Sequence, residues 1–455
     1  MRVDEISPLD GRYRERLRGL DDYFSEFALV RARCEIELRY LLALDDAGVF
    51  PALSSGERER VAALLSGFAS ADFERVKDIE SQTRHDVKSC EIFLRERLDL
   101  NRPNLIHFGL TSADVNNLAY GLILSRFRDE IQLPQVRELL EKLAELADEW
   151  KAIPFPARTH GQAASPTTAG KEIAVFASRL LRQAEQLRVF RFRGKLSGAT
   201  GTLASFVVAF PHHDWAGFAR GFVESLHLEP NDCTTQIEDG DNLAEYFHII
   251  ERIHGIVLDL DLDLWEYLSR GDLVQRAVAG EVGSSTMPHK VNPIRFENSE
   301  GNLTIASALL DALASKLTRS RMQRDLSDST VRRNIGVALG HGHLALGETV
   351  RGLDEITLDE TLSRAKVDAV PAVLAEAVQT VLRAEGVDNP YELLKQFTRG
   401  RAPSLEDLSS FVSNLPISEE TKVRLTALRP SDYVGLAPAI CEGVVERVRT
   451  WLASG

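Results

Sequence analysis

The 455-residue sequence predicts an all-α chain organised around a central bundle of long helices. Asp241 to Leu268 is apolar almost all round, from Leu243, Tyr246 and Phe247 through Ile250, Ile253 and Val257 to Leu264 and Trp265, as in a helix buried inside a bundle and between subunits. Val115 to Lys151 is a second long helical stretch, in which Pro134 should impose a kink or break. Only Gly194 to Phe210, rich in Gly, Ser, Thr and β-branched residues, offers room for a short hairpin. The chain is too long for one core of ordinary size. It divides into an N-terminal helical domain (1–105), a central long-helix domain (106–353) and a small C-terminal helical domain (354–455) with Pro/Gly breaks such as Glu385-Gly386 and Arg399-Gly400.

In chain order, Ser7-Pro8-Leu9-Asp10-Gly11-Arg12-Tyr13 is a turn that sets a cation beside a phenol. Helices are expected at Tyr23 to Ala47, Ser55 to Ser66 and Asp78 to Arg97, the last with Arg84, His85 and Asp86 inside it. Thr111-Ser112-Ala113-Asp114 has a hydroxyl followed three residues later by an acid, a capping box opening the next helix. The unpaired N–H groups of such an N-terminus also suit an anion. Arg158-Thr159-His160-Gly161-Gln162 is a loop, and Ser165-Pro166 should cap the helix after it. Helices at Phe296 to Leu317 and up to about Leu353 flank a stretch containing Arg319, Arg321, Arg324, Arg332 and Arg333 with Ser329 and Thr330.

Charge and composition exclude several functions. A net charge of -14 argues against nucleic acid as a partner. No run approaches the ~18 apolar residues a membrane span needs, and the opening residues lack the apolar core of a signal peptide. Cys34, Cys90, Cys233 and Cys441 are widely spaced, as in reduced thiols, so a cytoplasmic location is expected. His341-Gly342-His343 and His212-His213 put their rings on different helix faces, so no metal is expected; the sequence has no nucleotide P-loop, and no cofactor is expected. In so acidic a chain, the arginine-rich stretch with its hydroxyls fits a phosphate or dicarboxylate.

Gly280-Glu281-Val282-Gly283-Ser284-Ser285-Thr286-Met287-Pro288-His289-Lys290-Val291-Asn292-Pro293 has neither helical nor strand periodicity. Glycines at one end, prolines at the other, and hydroxyls, an ammonium and a carboxamide between them suit a lid over an anionic substrate. The string resembles the signature loop of the fumarase/aspartase superfamily, Gly-Ser-Ser-x-Met-Pro-x-Lys-x-Asn-Pro. Met-Pro-His-Lys with His289, Thr-Arg-His-Asp at Thr83 to Asp86, Thr111-Ser112, Thr-His-Gly-Gln at Thr159 to Gln162, Gln236 and the Arg324-to-Arg333 stretch extend the likeness over nearly the whole chain. Together they resemble the adenylosuccinate lyase family in its bacterial form.

That resemblance implies a three-domain, all-α fold. The implied reaction is elimination of fumarate from adenylosuccinate to give AMP, and from the succinylated aminoimidazole carboxamide ribotide (SAICAR to AICAR), in a homotetramer whose active sites are shared between subunits. It implies Ser284 as base and His160 as acid, with His85 and Lys290 also catalytic. Arg12, Tyr13, Arg84, Asp86, Thr111, Ser112, Gln236, Ser285, Asn292, Asn298, Arg324, Ser329, Thr330 and Arg333 map to substrate-binding positions. Two departures add positive charge near the implied site: Arg84 where that branch often has Asn, and Arg295 where it often has Asp. Other lyases of the superfamily and a non-catalytic structural homologue are the rival readings. His289 and the arginine stretch oppose the first, and retention of His160, Ser284 and Lys290 opposes the second.

Overall fold

The computed structural model describes residues 5–276, 287, 290–398 and 403–454. The protein is 68% helical, and its strands, among the described residues, are two-residue pieces. The long helices are Glu26–Asp46, Ala169–Val189, Asp241–Ser269, Ile294–Leu317 and Ile335–Asp354. The chain forms two compact units. One is Met1–Gln135, Glu185–His254 and Gly301–Ala345, and the other is Val136–Ala184, Gly255–Glu300 and Leu346–Gly455.

In the first unit, the helices Glu26–Asp46, Ser55–Gly67, Ser70–Thr83 and Asp86–Leu98 enclose a core of Val30, Cys34, Leu38, Val61, Val76, Phe93 and Leu94. The expected helix from Asp78 to Arg97 is therefore two helices. Arg84 turns left-handed (φ 55°) and His85 becomes the N-cap of the second, its Nδ1 accepting Lys88 N–H at 3.2 Å. Ser25 interrupts the first expected helix in the same way, capping Glu26–Asp46 by accepting Ala28 N–H at 3.1 Å.

The capping box opens the helix Ser112–Phe127, with Asp114 accepting Thr111 N–H at 2.8 Å. The expected break at Pro134 takes the form of a π-helical turn, Arg128–Gln132, immediately before the helix Leu133–Glu149. Proline has no N–H to donate back, and widening the preceding turn accommodates that loss without ending the helix.

The hairpin expected at Gly194 to Phe210 does not form. Arg193–Gly194 pairs in parallel with Glu229–Pro230, and Ala204–Ala209 is helical. The intervening loop wraps a carboxylate, with Ser197 N–H and Gly198 N–H donating to Asp114 Oδ1 at 3.0 and 3.4 Å. Gly201 (φ 74°) passes so close to Thr234 O that a Cβ there would sit 1.9 Å from it.

In the second unit, Pro154–Phe155 pairs antiparallel with Thr167–Thr168, and Arg158–Thr159 pairs with Gln162–Ala163 further out, making a two-tier hairpin. The expected Ser165-Pro166 cap is overturned, because these residues lie inside the hairpin. Thr168 Oγ1 instead accepts Lys171 N–H at 3.3 Å at the start of Ala169–Val189. Phe155 anchors the base against Tyr267 in an edge-to-face contact with centroids 5.0 Å apart. The C-terminal helices bury their own core, which includes Leu374, Val378, Leu382, Leu408 and Val412.

Candidate active site

Site residues expected from the sequence lie, in the first unit, at two helix N-termini and along the arginine-rich stretch. His85, by accepting at Nδ1, keeps the proton of its neutral ring on Nε2. Beside it, Asp86 Oδ2 accepts Arg33 Nη2 at 2.7 Å and Arg333 Nη2 at 3.3 Å. Burial pushes the Asp86 carboxyl up, but Arg33, a backbone N–H and Arg333 outweigh it and hold the group below the usual carboxylate range. Arg84 is exposed next to this pair.

Thr111 and Ser112, both half-buried, stand at the start of Ser112–Phe127. What fixes them is Asp114, fully buried with Lys195 at 2.9 Å. Desolvation pulls the Lys195 ammonium down from its ordinary value, with Asp114 opposing that shift. Gln236 Nε2 donates to Ala199 O at 3.0 Å, so it is tied to the same loop. Two residues on, Glu238 accepts Gly240 N–H at 3.0 Å and Asn231 Nδ2 at 3.2 Å. Burial, reinforced by Asp239, raises it to about 7.

The arginine-rich stretch is not uniformly available. Arg319 turns back on Ser315 and Arg321 faces Asp325 at 3.3 Å. Arg332 lies 3.6 Å from Asp328, its guanidinium 6.0 Å from the centre of the Tyr120 ring. Arg324 makes no ion pair among the described residues. It lines a pocket with Ser329 and Arg333, together with Arg33, Asn116, Tyr120, Glu238, Asp328 and Arg332. Arginine forks and a hydroxyl around one pocket are suited to a phosphate or carboxylate. Thr330 is exposed and stands outside this lining. A second cleft of the same unit runs from Arg333 along Gly336 and Gly340 to Ser7, Leu9, Asp10 and Arg14, which sets the N-terminal turn beside Arg333. In that turn, the Arg12 guanidinium lies 6.0 Å from the centre of the Tyr13 ring.

In the second unit, His160 and Gly161 are the central residues of the outer hairpin turn, at φ 52° and 74°. Positive φ at both positions is the geometry of a two-residue turn matched to strand twist, in which glycine is favoured at the second position. Arg158 Nη1 donates to Gly161 O at 3.3 Å, and the His160 ring is exposed. Lys290 is exposed and its N–H donates to Met287 O at 3.1 Å. Asn292 and Asn298 are half-buried, Asn298 on Ile294–Leu317. Arg295, the departure expected to add charge near the site, is committed to Glu355 at 2.9 Å and Glu348 at 3.6 Å, which absorbs that charge. Ser284, Ser285 and His289 lie outside the described residues.

Sequence reasoning missed Arg33, Asn116, Tyr120, Lys195 and Glu238. For Arg33 a signal existed. It shares a stripe with Leu29, Val30 and Leu41 at helical spacing, and a charge on an apolar stripe asks for a partner.

A family model described as Lyase matches residues 27–307, and one described as Adenylosuccinate lyase C-terminal matches residues 320–434. The chain is 43% identical over 445 residues to a Haemophilus influenzae protein named adenylosuccinate lyase, covering 96% of this chain and 98% of that one. Proteins of the same name from Escherichia coli and Dictyostelium discoideum are 42% and 41% identical, covering 95% of this chain and 96% and 97% of theirs. In fold, the chain is similar to 3-carboxy-cis,cis-muconate lactonizing enzyme from Pseudomonas putida (TM-score 0.75, 22% identity, 95% and 97% covered). It is likewise similar to fumarate lyase from Mesorhizobium sp. BNC1 (TM-score 0.77, 21% identity, 95% and 97% covered). The chain belongs to the adenylosuccinate lyase family.

Proposed function

We propose that this chain is a carbon–nitrogen lyase that eliminates fumarate from adenylosuccinate to leave AMP, and from SAICAR to leave AICAR. Family membership supports the reaction. The observation that carries the substrate class is the pocket lined by Arg324, Ser329 and Arg333 in a chain of net charge -14. Such a pocket suits a phosphate or a carboxylate, and both substrates are phosphorylated.

The elimination removes a proton α to a carboxylate, holds the resulting aci-carboxylate, and protonates the nitrogen as the C–N bond breaks. Ser284 takes the first proton, and since a lone hydroxyl is a weak base, Lys290 and loop N–H groups must stabilise its alkoxide. Lys290 and Asn292 steady the carboxylate, and His160 supplies the proton to the departing nitrogen. His85, with its Nε2–H, works on the substrate together with Arg84 and Asp86. Arg12, Tyr13, Thr111, Ser112, Gln236, Ser285, Asn298 and Thr330 complete the binding set. The three-part division at 105 and 353, the cytoplasmic location and a homotetramer with sites shared between subunits belong to the same reading. Among the described residues no helix is long and apolar enough to cross a membrane.

Release of fumarate from adenylosuccinate by the purified protein tests the reaction, and failure to release it rejects this reading. Site sharing has its own test. Inactive His160→Ala and Ser284→Ala chains, dissociated and reassembled together, should regain about one quarter of wild-type activity in a closed symmetric oligomer. Mixed oligomers that regain none place both residues of a site on one chain.

A further inference from the structure

We infer that Arg33 is a positioning residue for anion binding in the first unit, acting through Asp86 on Arg333. The inference rests on the function proposed above and extends it to a residue buried within a helix. Arg33 is 4% exposed, and its guanidinium is committed on two edges. Nε donates to Asn116 Oδ1 at 2.8 Å, which ties it to Ser112–Phe127, and Nη2 donates to Asp86 Oδ2 at 2.7 Å. The same carboxylate oxygen takes Arg333 Nη2 at the longer distance of 3.3 Å. Two guanidiniums thus share one oxygen, and the buried one holds it more closely.

This unequal sharing has a consequence for the ligand. The Arg333 side chain is 48% exposed, so it is tethered by Asp86 without being neutralised by it. Arg33 balances the single negative charge, and the excess positive charge of the trio remains with the arginine that faces solvent. Without Arg33, Asp86 would pair fully with Arg333 and draw the guanidinium away from an incoming phosphate or carboxylate. A site held within a fraction of an ångström by buried supporting groups binds better than one that must reorganise. The other titratable groups facing Asp86 are His85, whose Nδ1 lies 3.8 Å from its Oδ1, and Tyr120.

A double-mutant cycle tests the inference, with Arg33→Met, Arg333→Ala and the pair compared by KM for adenylosuccinate, kcat and inhibition by AMP. Arg33→Met should raise KM and the AMP inhibition constant on the order of tenfold, the loss expected for a charge-assisted hydrogen bond, while kcat moves much less. Arg33→Lys, whose ammonium keeps the charge beside Asp86, should recover part of that loss. In the Arg333→Ala background, Arg33→Met should add no more than about twofold. Additive effects would mean that Arg33 touches the ligand itself or only supports the fold, and either overturns the inference. If Arg33→Met does not fold, Arg33→Gln, which keeps a polar side chain in that buried position, replaces it in the cycle, with the same non-additivity expected and additivity again decisive. Wild-type turnover separates the two readings. Its absence rejects the proposed reaction, whereas AMP binding measured across the cycle still decides whether Arg33 acts through Arg333.

Discussion

Arg33, Asp86 and Arg333 in the first unit are fixed by charge against charge, with one partner buried, whereas His160 in the second unit makes no ion pair among the described residues and sits at the tip of an exposed two-residue turn. The contrast follows from what each group is proposed to do. Arginines that hold a ligand gain from being locked, since every rotamer frozen in advance is one less to freeze on binding. An acid that must meet a departing nitrogen needs a defined origin and an open path, and a short turn provides both. Ion pairing would also tie up the proton His160 is meant to deliver.

Breaking the second arm of this comparison should have the largest effect. Ser284→Ala should cost a hundredfold or more in kcat, the contribution ordinarily made by a general base, with adenylosuccinate still bound. Turnover within a few-fold of wild type would remove Ser284 from that role. In the first unit, by contrast, a change in the pocket that Arg333 lines should act on binding: Arg324→Ala should raise KM and the AMP inhibition constant by roughly 10–150-fold, the equivalent of about 1.5–3 kcal/mol. Inhibition by AMP that stays unchanged would take Arg324 off the phosphate. The smallest effect sharpens the contrast. Gly161→Ala puts a Cβ at φ 74°, a strain of about 1 kcal/mol, and should lower kcat several-fold with KM nearly unchanged. A matching rise in KM would show that the turn binds substrate rather than aiming the acid.

Much of this was legible in the sequence, and the parts that were not share a cause. The Thr111–Asp114 capping box is local, three residues from hydroxyl to acid, and it formed. The Pro134 interruption also follows from one residue's covalent geometry, although sequence alone left open that it would be a π turn. The break at Arg84–His85 was hidden because no Gly or Pro marks it. An arginine in left-handed geometry and a histidine cap interrupt what looks like one periodic helix. The His160 hairpin escaped because strands of two residues carry no alternation to read. The pairing of Asp114 with Lys195 joins residues distant in sequence, and it is this pair that turns an expected hairpin into a loop wrapped round a carboxylate. In the sequence Arg295 is simply added positive charge, and only the fold brings Glu348 and Glu355 to it.

The central claim is a division of labour, with the arginine-lined pocket of the first unit holding the phosphate and the hairpin and signature loop of the second performing the elimination. Calorimetric titration of AMP into wild type, Ser284→Ala and Arg324→Ala tests it most directly. The account predicts that Ser284→Ala binds AMP as wild type does, within about twofold, while Arg324→Ala binds at least about tenfold more weakly. Equal affinity in wild type and Arg324→Ala, or lost affinity in Ser284→Ala, would contradict it.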